Sequence, residues 1–293
     1  MHIISPSRRV FQLFNYLFLI ALGLLCLMPF VNIIAVSFSE SSAVVAGKVT
    51  FWPVGFTLKS YQYILNNAVF LRTFGNTLVR VIGGTLLNML LTIMVAYPLS
   101  KDVAKLRART VYVWIFVFTI LFNGGLITWY MTIKMFGLID SPLALILPGA
   151  VPVFNVILLL NFFRNLPKEL EESSFIDGAG HWTTMWRIYV PISMPALATV
   201  LLFTMVTHWN SWFDGMLLMN RVEHYPLSSY LQTVVIQMDF SHVKQEDVQM
   251  MGEISNRTSK AAQIVVGALP ILLVYPFLQR FFVKGIVLGS VKE

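Results

Sequence analysis

The sequence predicts an all-α membrane protein with six transmembrane helices. Its 293 residues are 57% hydrophobic and only 12% charged, about half the charged fraction of a typical soluble domain. The mean hydropathy is +0.72, and apolar runs of roughly 20 residues, the length that crosses a bilayer as a helix, recur along the chain. The one cysteine, Cys26, excludes a disulfide framework or a cysteine-rich metal site within the chain.

The six predicted spans are these apolar runs. The first follows the basic start MHIISPSRRV, and its apolar core is longer than the roughly 7–15 residues of a signal peptide, so we expect it to be retained. All 293 residues are predicted to form one transmembrane domain. The spans cover about residues 11–36, 71–98, 110–131, 141–163, 193–219 and 262–283.

The distribution of lysine and arginine predicts the orientation. With the N-terminus inside, basic residues concentrate in the short segments on that side and are spread over long loops on the other. Both termini, the tail 284–293 and the segment 164–192 are then cytoplasmic, and the loops 37–70 and 220–261 are external. The same rule accounts for the net charge of +7, so no nucleic-acid partner is expected.

The segment 164–192 is unusually polar for this chain. Asn165 and Pro167 favour a helix start, and Asp177-Gly178 predicts a turn that divides the segment into two short helices. A helical spacing would place five residues on one apolar face, which could pack under the bundle, lie on lipid or dock on another protein. These residues are Phe175, Ala179, Trp182, Trp186 and Tyr189.

This segment resembles the cytoplasmic EAA motif of ABC importer permeases. The family pattern Glu-Ala-Ala, Asp-Gly-Ala and Ile-x-Leu-Pro is matched by Glu172-Ser173-Ser174, Asp177-Gly178-Ala179 and Ile188-Tyr189-Val190-Pro191, with serine for alanine and valine for leucine. Nearly the whole chain is similar to maltose-type inner-membrane permeases of carbohydrate importers, in the complex-oligosaccharide subgroup. The stretch AGKVTFWPVGFTLKSYQYIL resembles that subgroup's first external loop.

The resemblance implies the type I ABC importer permease fold, with a cytoplasmic coupling helix between spans four and five. It implies that the chain pairs with a second permease subunit, two copies of an ABC ATPase and an extracytoplasmic sugar-binding protein, which the loop 220–261 would contact. It also implies a multi-pass protein of the bacterial cytoplasmic (inner) membrane that moves an oligosaccharide across the lipid bilayer by alternating access. The residues expected to couple to the ATPase are Glu172, Ser173, Ser174, Asp177, Gly178, Ala179, Trp182, Ile188 and Pro191.

No catalytic motif is present in the sequence. It lacks the G-x-x-x-x-G-K-[ST] loop, H-E-x-x-H and a nucleophile elbow, and its histidines are scattered. We therefore expect no enzyme activity, no metal site and no cofactor in this chain. ATP and Mg are expected on the partner ATPases.

Polar residues inside the predicted fifth span, THWNSWFDGM, are candidates for the translocation pathway. Aromatic rings and hydrogen-bonding side chains suit sugars, although polar residues also join helices at subunit interfaces. Arg80 lies within the second span, where a buried charge usually faces a cavity or a partner; alternatively, it lies near a span end and its charge reaches the surface. Gly83-Gly84 is expected to allow close helix packing. The pathway candidates are His208, Trp209, Asn210, Trp212 and Asp214.

The positive net charge would suit an acidic oligosaccharide such as alginate, although the positive-inside rule already explains it. Two alternatives stay open at this point. An ion-coupled secondary transporter could use His208 and Asp214, but no inverted repeat is visible. A non-transporting membrane scaffold could dock a partner through the segment 164–192.

Overall fold

The computed structural model describes residues 6–236 and 256–290, and the regular secondary structure of these residues is helical. A π-helical turn lies at Met185–Tyr189, and short 3-10 turns lie at Pro142–Leu145, Leu147–Gly149 and Val222–His224. The helices, numbered along the chain, are α1 (Pro6–Ser37), α2 (Ser41–Val45), α3 (Lys59–Asn66), α4 (Ala68–Ser100), α5 (Arg109–Leu121), α6 (Gly125–Met135), α7 (Val153–Arg164), α8 (Glu169–Ile176), α9 (His181–Ile192), α10 (Met194–Asn210), α11 (Phe213–Leu218), α12 (Leu227–Ile236) and α13 (Asn256–Ser290).

The chain forms two compact units. One consists of Met1–Ala68 with Thr233–Leu269, and the other consists of Val69–Gln232 with Pro270–Glu293. Each unit combines an early and a late part of the chain, so neither is one continuous stretch of sequence.

In the first unit, the predicted external loop after α1 is folded by local contacts. The Phe38 ring stacks on Phe56 and on Tyr61, with ring centres 5.6 and 4.8 Å away. The Glu40 backbone N–H donates to the Val54 carbonyl at 3.0 Å. The stacked rings of Phe38, Phe56 and Tyr61 thus help to fold the loop that contains helices α2 and α3.

The second unit has an apolar core at one end, where α4, α7, α9 and α10 meet. Ala96, Leu159 and Val200 are completely buried there, because small and branched side chains allow the helices to approach closely. The four helices contribute Ile93, Ala96, Tyr97, Leu99, Val156, Leu159, Leu160, Phe163, Met185, Tyr189, Ala196, Leu197 and Val200. This core supports both the C-terminal end of α4 and the helix pair α8–α9.

Three single helices among the described residues have the length and composition to cross a bilayer, and three bent helix pairs would also do so if each pair is counted as one span. Arg8–Ser37, Ala68–Ser100 and Arg257–Phe277 are single helices. The pair α5–α6 is bent by 111°, the 3-10 turns and α7 by 45°, and α9–α10 by 83°. The limits of the spans in a membrane stay predictions.

Three predicted spans are not continuous helices. The run 141–163 begins with 3-10 turns and becomes the helix α7 only at Val153. The run 110–131 breaks between α5 and α6, where the Asn123 side chain accepts a hydrogen bond from the Gly125 N–H at 3.0 Å and Gly125 has a φ of +78°. The run 193–219 ends as a helix at Asn210 and resumes as α11. At that break the Ser211 carbonyl accepts from an arginine side chain instead of continuing the helix.

Parts of two predicted segments lie outside the described residues. These are residues 237–255 of the predicted external loop 220–261 and residues 291–293 of the predicted tail 284–293. Residues 284–290 of that tail continue helix α13.

Candidate functional site

The coupling segment, residues 164–192, forms a sharp corner between α8 and α9. Acidic residues in the first turn of α8 suit the positive end of its dipole. The helix ends at Ile176, and Gly178 adopts a φ of +80°, a left-handed conformation that favours glycine. Helix α9 starts at His181. The predicted division at Asp177-Gly178 is therefore confirmed.

Two buried hydroxyl groups fasten α8 to α9. The side-chain oxygens of Ser174 and Thr184 are 2.9 Å apart. Each hydroxyl oxygen also lies near a backbone carbonyl, Ser174 2.7 Å from that of Glu171 and Thr184 3.1 Å from that of Gly180, so one hydroxyl can donate to its carbonyl while the other donates across the corner. Ser174 thus fits a position where the EAA motif has alanine, because serine is small and its hydroxyl also contacts Thr184 across the corner.

The prediction of one apolar stripe along the coupling segment is wrong. Tyr189 is buried, whereas the side chains of Trp182 and Trp186 are 62% and 39% exposed. The turn after α8 and the π-helical turn in α9 change the register, so a spacing of three and four no longer follows one face. The exposed apolar surface of the corner consists of Ile176, Trp182 and Trp186.

The other predicted coupling residues divide between surface and interior. Ser174 is buried, and Ala179 and Ile188 are partly buried. The acidic side chains of Glu172 and Asp177 are exposed beside the apolar surface. Ser173, Gly178 and Pro191 are also exposed.

A buried ion pair joins α8 to the end of α4, and we call it the Lys101–Glu171 pair. The ammonium of Lys101 lies 3.2 Å from Glu171 Oε1, and the two side chains are 7% and 6% exposed. Tyr189 donates its hydroxyl proton to Glu171 Oε2 at 3.3 Å. The Lys101 ammonium lies 3.8 and 4.0 Å from the ring centres of Tyr97 and Tyr189.

Sequence reasoning missed this pair. Glu171 stands in the first turn of a helix, where an acidic residue is explained by the dipole alone. Lys101 follows a long apolar helix, where a basic residue is explained by the positive-inside rule. Burial lowers the pKa of the Lys101 ammonium, and the carboxylate of Glu171 opposes that effect.

An exposed ion pair joins the same two segments. Lys168 Nζ lies 2.8 Å from Asp102 Oδ2, and the side chains are 71% and 55% exposed. The hydrogen bond from Lys168 lowers the pKa of Asp102. A cavity of about 570 Å³ lies beside the buried pair, lined by side chains that include Tyr97, Lys105 and Trp182.

A second polar cluster joins α4 to α10. His208 Nε2 and Asn88 Oδ1 are 2.6 Å apart. The Asn88 amide donates to the carbonyls of Gly149 and Ala150 at 2.6 and 2.9 Å. Gly84 gives the His208 ring its space against α4. The predicted close packing at Gly83-Gly84 thus has a specific partner at Gly84.

Arg80 and Asp214 form a largely buried ion pair at the break between α10 and α11. Arg80 donates from both terminal nitrogens to the carboxylate of Asp214, and from Nη1 also to the Ser211 carbonyl at 3.1 Å. Asp214 further accepts from the Ser211 hydroxyl and the Gly215 N–H, each at 2.9 Å. The Arg80 side chain is 4% exposed, so Arg80 faces a partner, as expected of a buried charge, and its charge does not reach the surface as in the alternative.

The five predicted pathway residues do not form one face. Trp209 is buried with its ring edge-on to Phe74 at 6.0 Å. Trp212, beyond the helix break, is 39% exposed. Asn210 is exposed as well. The break after Asn210 separates the two tryptophans, which a continuous helix would have brought together.

The opposite end of the second unit is closed by a polar network around Asp140. This residue has a φ of +62°, and its side chain accepts from the Asn220 N–H at 3.0 Å and contacts His224 Nδ1 at 2.8 Å. The Asn220 N–H lowers the pKa of Asp140. Asn76 of α4 donates to the Glu223 carbonyl at 2.8 Å. The first residues of the predicted external loop are thus fixed to this end.

The described residues contain no cluster of three or more His, Cys, Asp or Glu side chains that could hold a metal ion.

Comparison with known proteins decides the family. Residues 107–287 match the family described as binding-protein-dependent transport system inner membrane component. This chain belongs to that family. It is thus a permease subunit of an ABC importer, a multi-pass protein of the inner membrane. The importer is favoured over the ion-coupled secondary transporter and the scaffold, and the permease fold expected from the resemblance is confirmed.

Relatives match this permease over almost its full length. The polygalacturonan/rhamnogalacturonan transport system permease protein YtcP of Bacillus subtilis (strain 168) is 40% identical, over 98% of this chain and 99% of that protein. Protein LplC of the same strain is 39% identical, over 98% and 97%. A crystal structure of a bacterial ABC transporter involved in import of the acidic polysaccharide alginate contains a chain that is 30% identical, with a TM-score of 0.89, over 96% of this chain and 100% of that one.

Proposed function

We propose that this permease forms half of the pore of an ATP-driven importer of acidic oligosaccharides. It would work with a second permease, two ATPases and an extracytoplasmic binding protein. The observation that carries the coupling role is the corner between α8 and α9, where Ile176, Trp182 and Trp186 are exposed and available to a partner subunit. Exposed aromatic anchors with a polar rim are typical of protein interfaces.

The corner suits the transmission of movement between subunits. Its two helices are tied by the Ser174–Thr184 contact and continue into the apolar core through Tyr189. A partner that moves the corner therefore moves α9 and the helices packed on it. We propose that ATP and Mg bind on the partner ATPases and that this chain carries no cofactor, with the coupling segment and both termini on the cytoplasmic side.

The acidic substrate class is supported by the relatives. YtcP is named for polygalacturonan and rhamnogalacturonan, and the structurally similar transporter imports the acidic polysaccharide alginate. Asn210 and Trp212, exposed at the α10–α11 break, would offer an amide and an aromatic ring to a passing sugar. We propose that His208, Trp209 and Asp214 hold in place the backbone around Asn210 and Trp212.

The substrate class is tested with the whole transporter, reconstituted with its binding protein. We expect oligogalacturonate or oligoalginate to stimulate ATP hydrolysis. A neutral maltodextrin of equal length is the matched control and should stimulate it less. Stimulation by the maltodextrin that equals or exceeds stimulation by both acidic sugars would overturn the acidic class while leaving the importer intact.

Substitution of Gly178 tests the coupling corner. In Gly178→Val, a branched side chain is forced into a φ of +80°, which costs roughly 1–2 kcal/mol and would displace the corner. We expect the tagged variant to retain about ten times less ATPase subunit than the unmodified permease, since about 1.4 kcal/mol corresponds to a tenfold change in a binding constant. Gel filtration and quantitative mass spectrometry of the purified complex measure that loss.

Gly180→Ala is the matched control for this substitution. Gly180 precedes α9 with a φ of −83° and has open space around it, so alanine should be tolerated. Equal ATPase retention by both variants would show that the corner is not the docking element.

A further inference from the structure

We propose that Lys101 and Glu171 are positioning residues that pass movement of the coupling segment to α4. The inference deepens the proposed function and rests on it, because it requires an ATPase that moves α8 and α9. The coupling residues expected from the motif do not include either member of this pair.

The burial of the Lys101–Glu171 pair makes it a stiff contact. The two side chains are only 7% and 6% exposed. Separating them would leave the Lys101 ammonium without its counter-charge in an apolar surrounding, which is far less favourable than separating a pair in water, although Glu171 would keep a contact with the half-exposed Lys105. The two ends of the contact must therefore move together.

Aromatic rings fix the geometry of the pair. The Lys101 ammonium lies within 4.0 Å of the ring centres of Tyr97 and Tyr189, a favourable arrangement for a cation. Tyr97 belongs to α4 and Tyr189 to α9, and their rings meet edge to face at 5.0 Å. The ammonium thus sits where α4, α8 and α9 come together.

The other ion pairs between these segments are longer or more exposed. Lys105 Nζ lies 3.4 Å from Glu171 Oε2, and the Lys105 side chain is 46% exposed. The Lys168–Asp102 pair is exposed on both sides, and pairs of this kind contribute little because water and salt screen them. The cavity of about 570 Å³ leaves Phe175 and Trp182 without close packing on one side. Movement of α8 therefore reaches α4 chiefly through Glu171.

Helix α4 leads from this contact to the second polar cluster. It is a helix of 33 residues, and Asn88 and Arg80 on it bond to α10 and to the α10–α11 break. A displacement at the end of α4 thus acts on the backbone that carries Asn210 and Trp212. A contact path of this kind needs a direct test of coupling.

The test measures the ratio of stimulated to basal ATP hydrolysis in the whole reconstituted transporter. Stimulation is by the binding protein loaded with oligogalacturonate or oligoalginate, whichever activates the unmodified transporter. We expect Glu171→Gln and Lys101→Met to lower the ratio about tenfold, within the usual range of coupling between two sites. Lys101→Arg keeps the cation and should restore most of the ratio.

Two matched controls separate this role from general effects of charge. Glu169→Gln removes an exposed carboxylate from the same helical turn. Asp102→Asn breaks the exposed pair between the same segments. Both should leave the ratio unchanged. A ratio that falls equally in these controls and in Glu171→Gln would overturn the proposal.

A double variant keeps the proposal testable if single variants do not fold. Lys101→Met with Glu171→Leu replaces the pair with apolar groups, a change that often preserves stability. We expect it to retain its ATPases but to show the low ratio, and an unchanged ratio would refute the positioning role. If the unmodified transporter retains no ATPase, the proposed function itself fails, which is a different result.

Discussion

Asp214→Asn is expected to destabilise the permease by about 3–5 kcal/mol, because it leaves a buried arginine without its counter-charge. The Arg80 side chain is 4% exposed, and Asp214 pairs with it through both carboxylate oxygens. The carboxylate also holds the Ser211 hydroxyl and the Gly215 N–H, so the break between α10 and α11 should loosen. Thermal unfolding of the purified transporter in detergent measures the loss, and sugar uptake should fall with it.

Two further variants give this prediction its controls. Arg80→Gln combined with Asp214→Asn removes both charges and should recover most of the lost stability. The exposed pair of Arg72 and Glu223, at 2.7 Å with side chains 63% and 52% exposed, offers a matched comparison. Arg72→Gln should cost less than about 1 kcal/mol. If Asp214→Asn lowers the stability as little as Arg72→Gln does, the buried pair does not stabilise the break between α10 and α11.

Gly84→Ala is expected to abolish uptake by forcing α4 away from α10. A Cβ atom at Gly84 would lie 2.5 Å from Cε1 and Nε2 of the His208 ring. The ring cannot move aside without giving up its 2.6 Å contact with Asn88. Overpacking of this kind costs about 1–3 kcal/mol, and here it also displaces the backbone beside the candidate pathway. Uptake by proteoliposomes and the unfolding temperature of the variant measure these effects.

The neighbouring glycine provides the control for that substitution. A Cβ atom at Gly83 would meet the Cδ1 atom of Ile146 at 3.3 Å, and the end of an isoleucine side chain can adjust. Gly83→Ala should therefore retain most of the uptake. Similar losses in both variants would indicate a general intolerance of α4 to side chains and not a specific contact with His208.

Charges in apolar spans carried a signal that sequence reasoning used only in part. Arg80 and Asp214 have opposite signs and stand in two different apolar runs, and a charge inside a membrane usually faces a cavity or a partner. Sequence reasoning applied this rule to each charge but did not pair the two, because Arg80 could also lie near the end of its span, where a long side chain can reach the surface.

Sequence alone determined the features that depend on neighbouring residues. The apolar runs predicted the helical membrane fold, and the Asp177-Gly178 turn predicted the corner of the coupling segment. The spacing from Glu172 to Pro191 identified the family later matched over residues 107–287. Each of these signals is local, because helix length, turn chemistry and motif spacing are all read within a short stretch of chain.

Tertiary structure alone decided which distant residues meet. Arg80 and Asp214 are 134 positions apart, and Asn88 and His208 are 120 apart. The partner of Lys101 likewise comes from a separate helix. A membrane helix is apolar around most of its circumference, so its pattern of hydrophobicity does not specify which face turns toward which neighbour. Only the packing of the helices fixes that rotation, and with it the residues that connect the coupling segment to the candidate pathway.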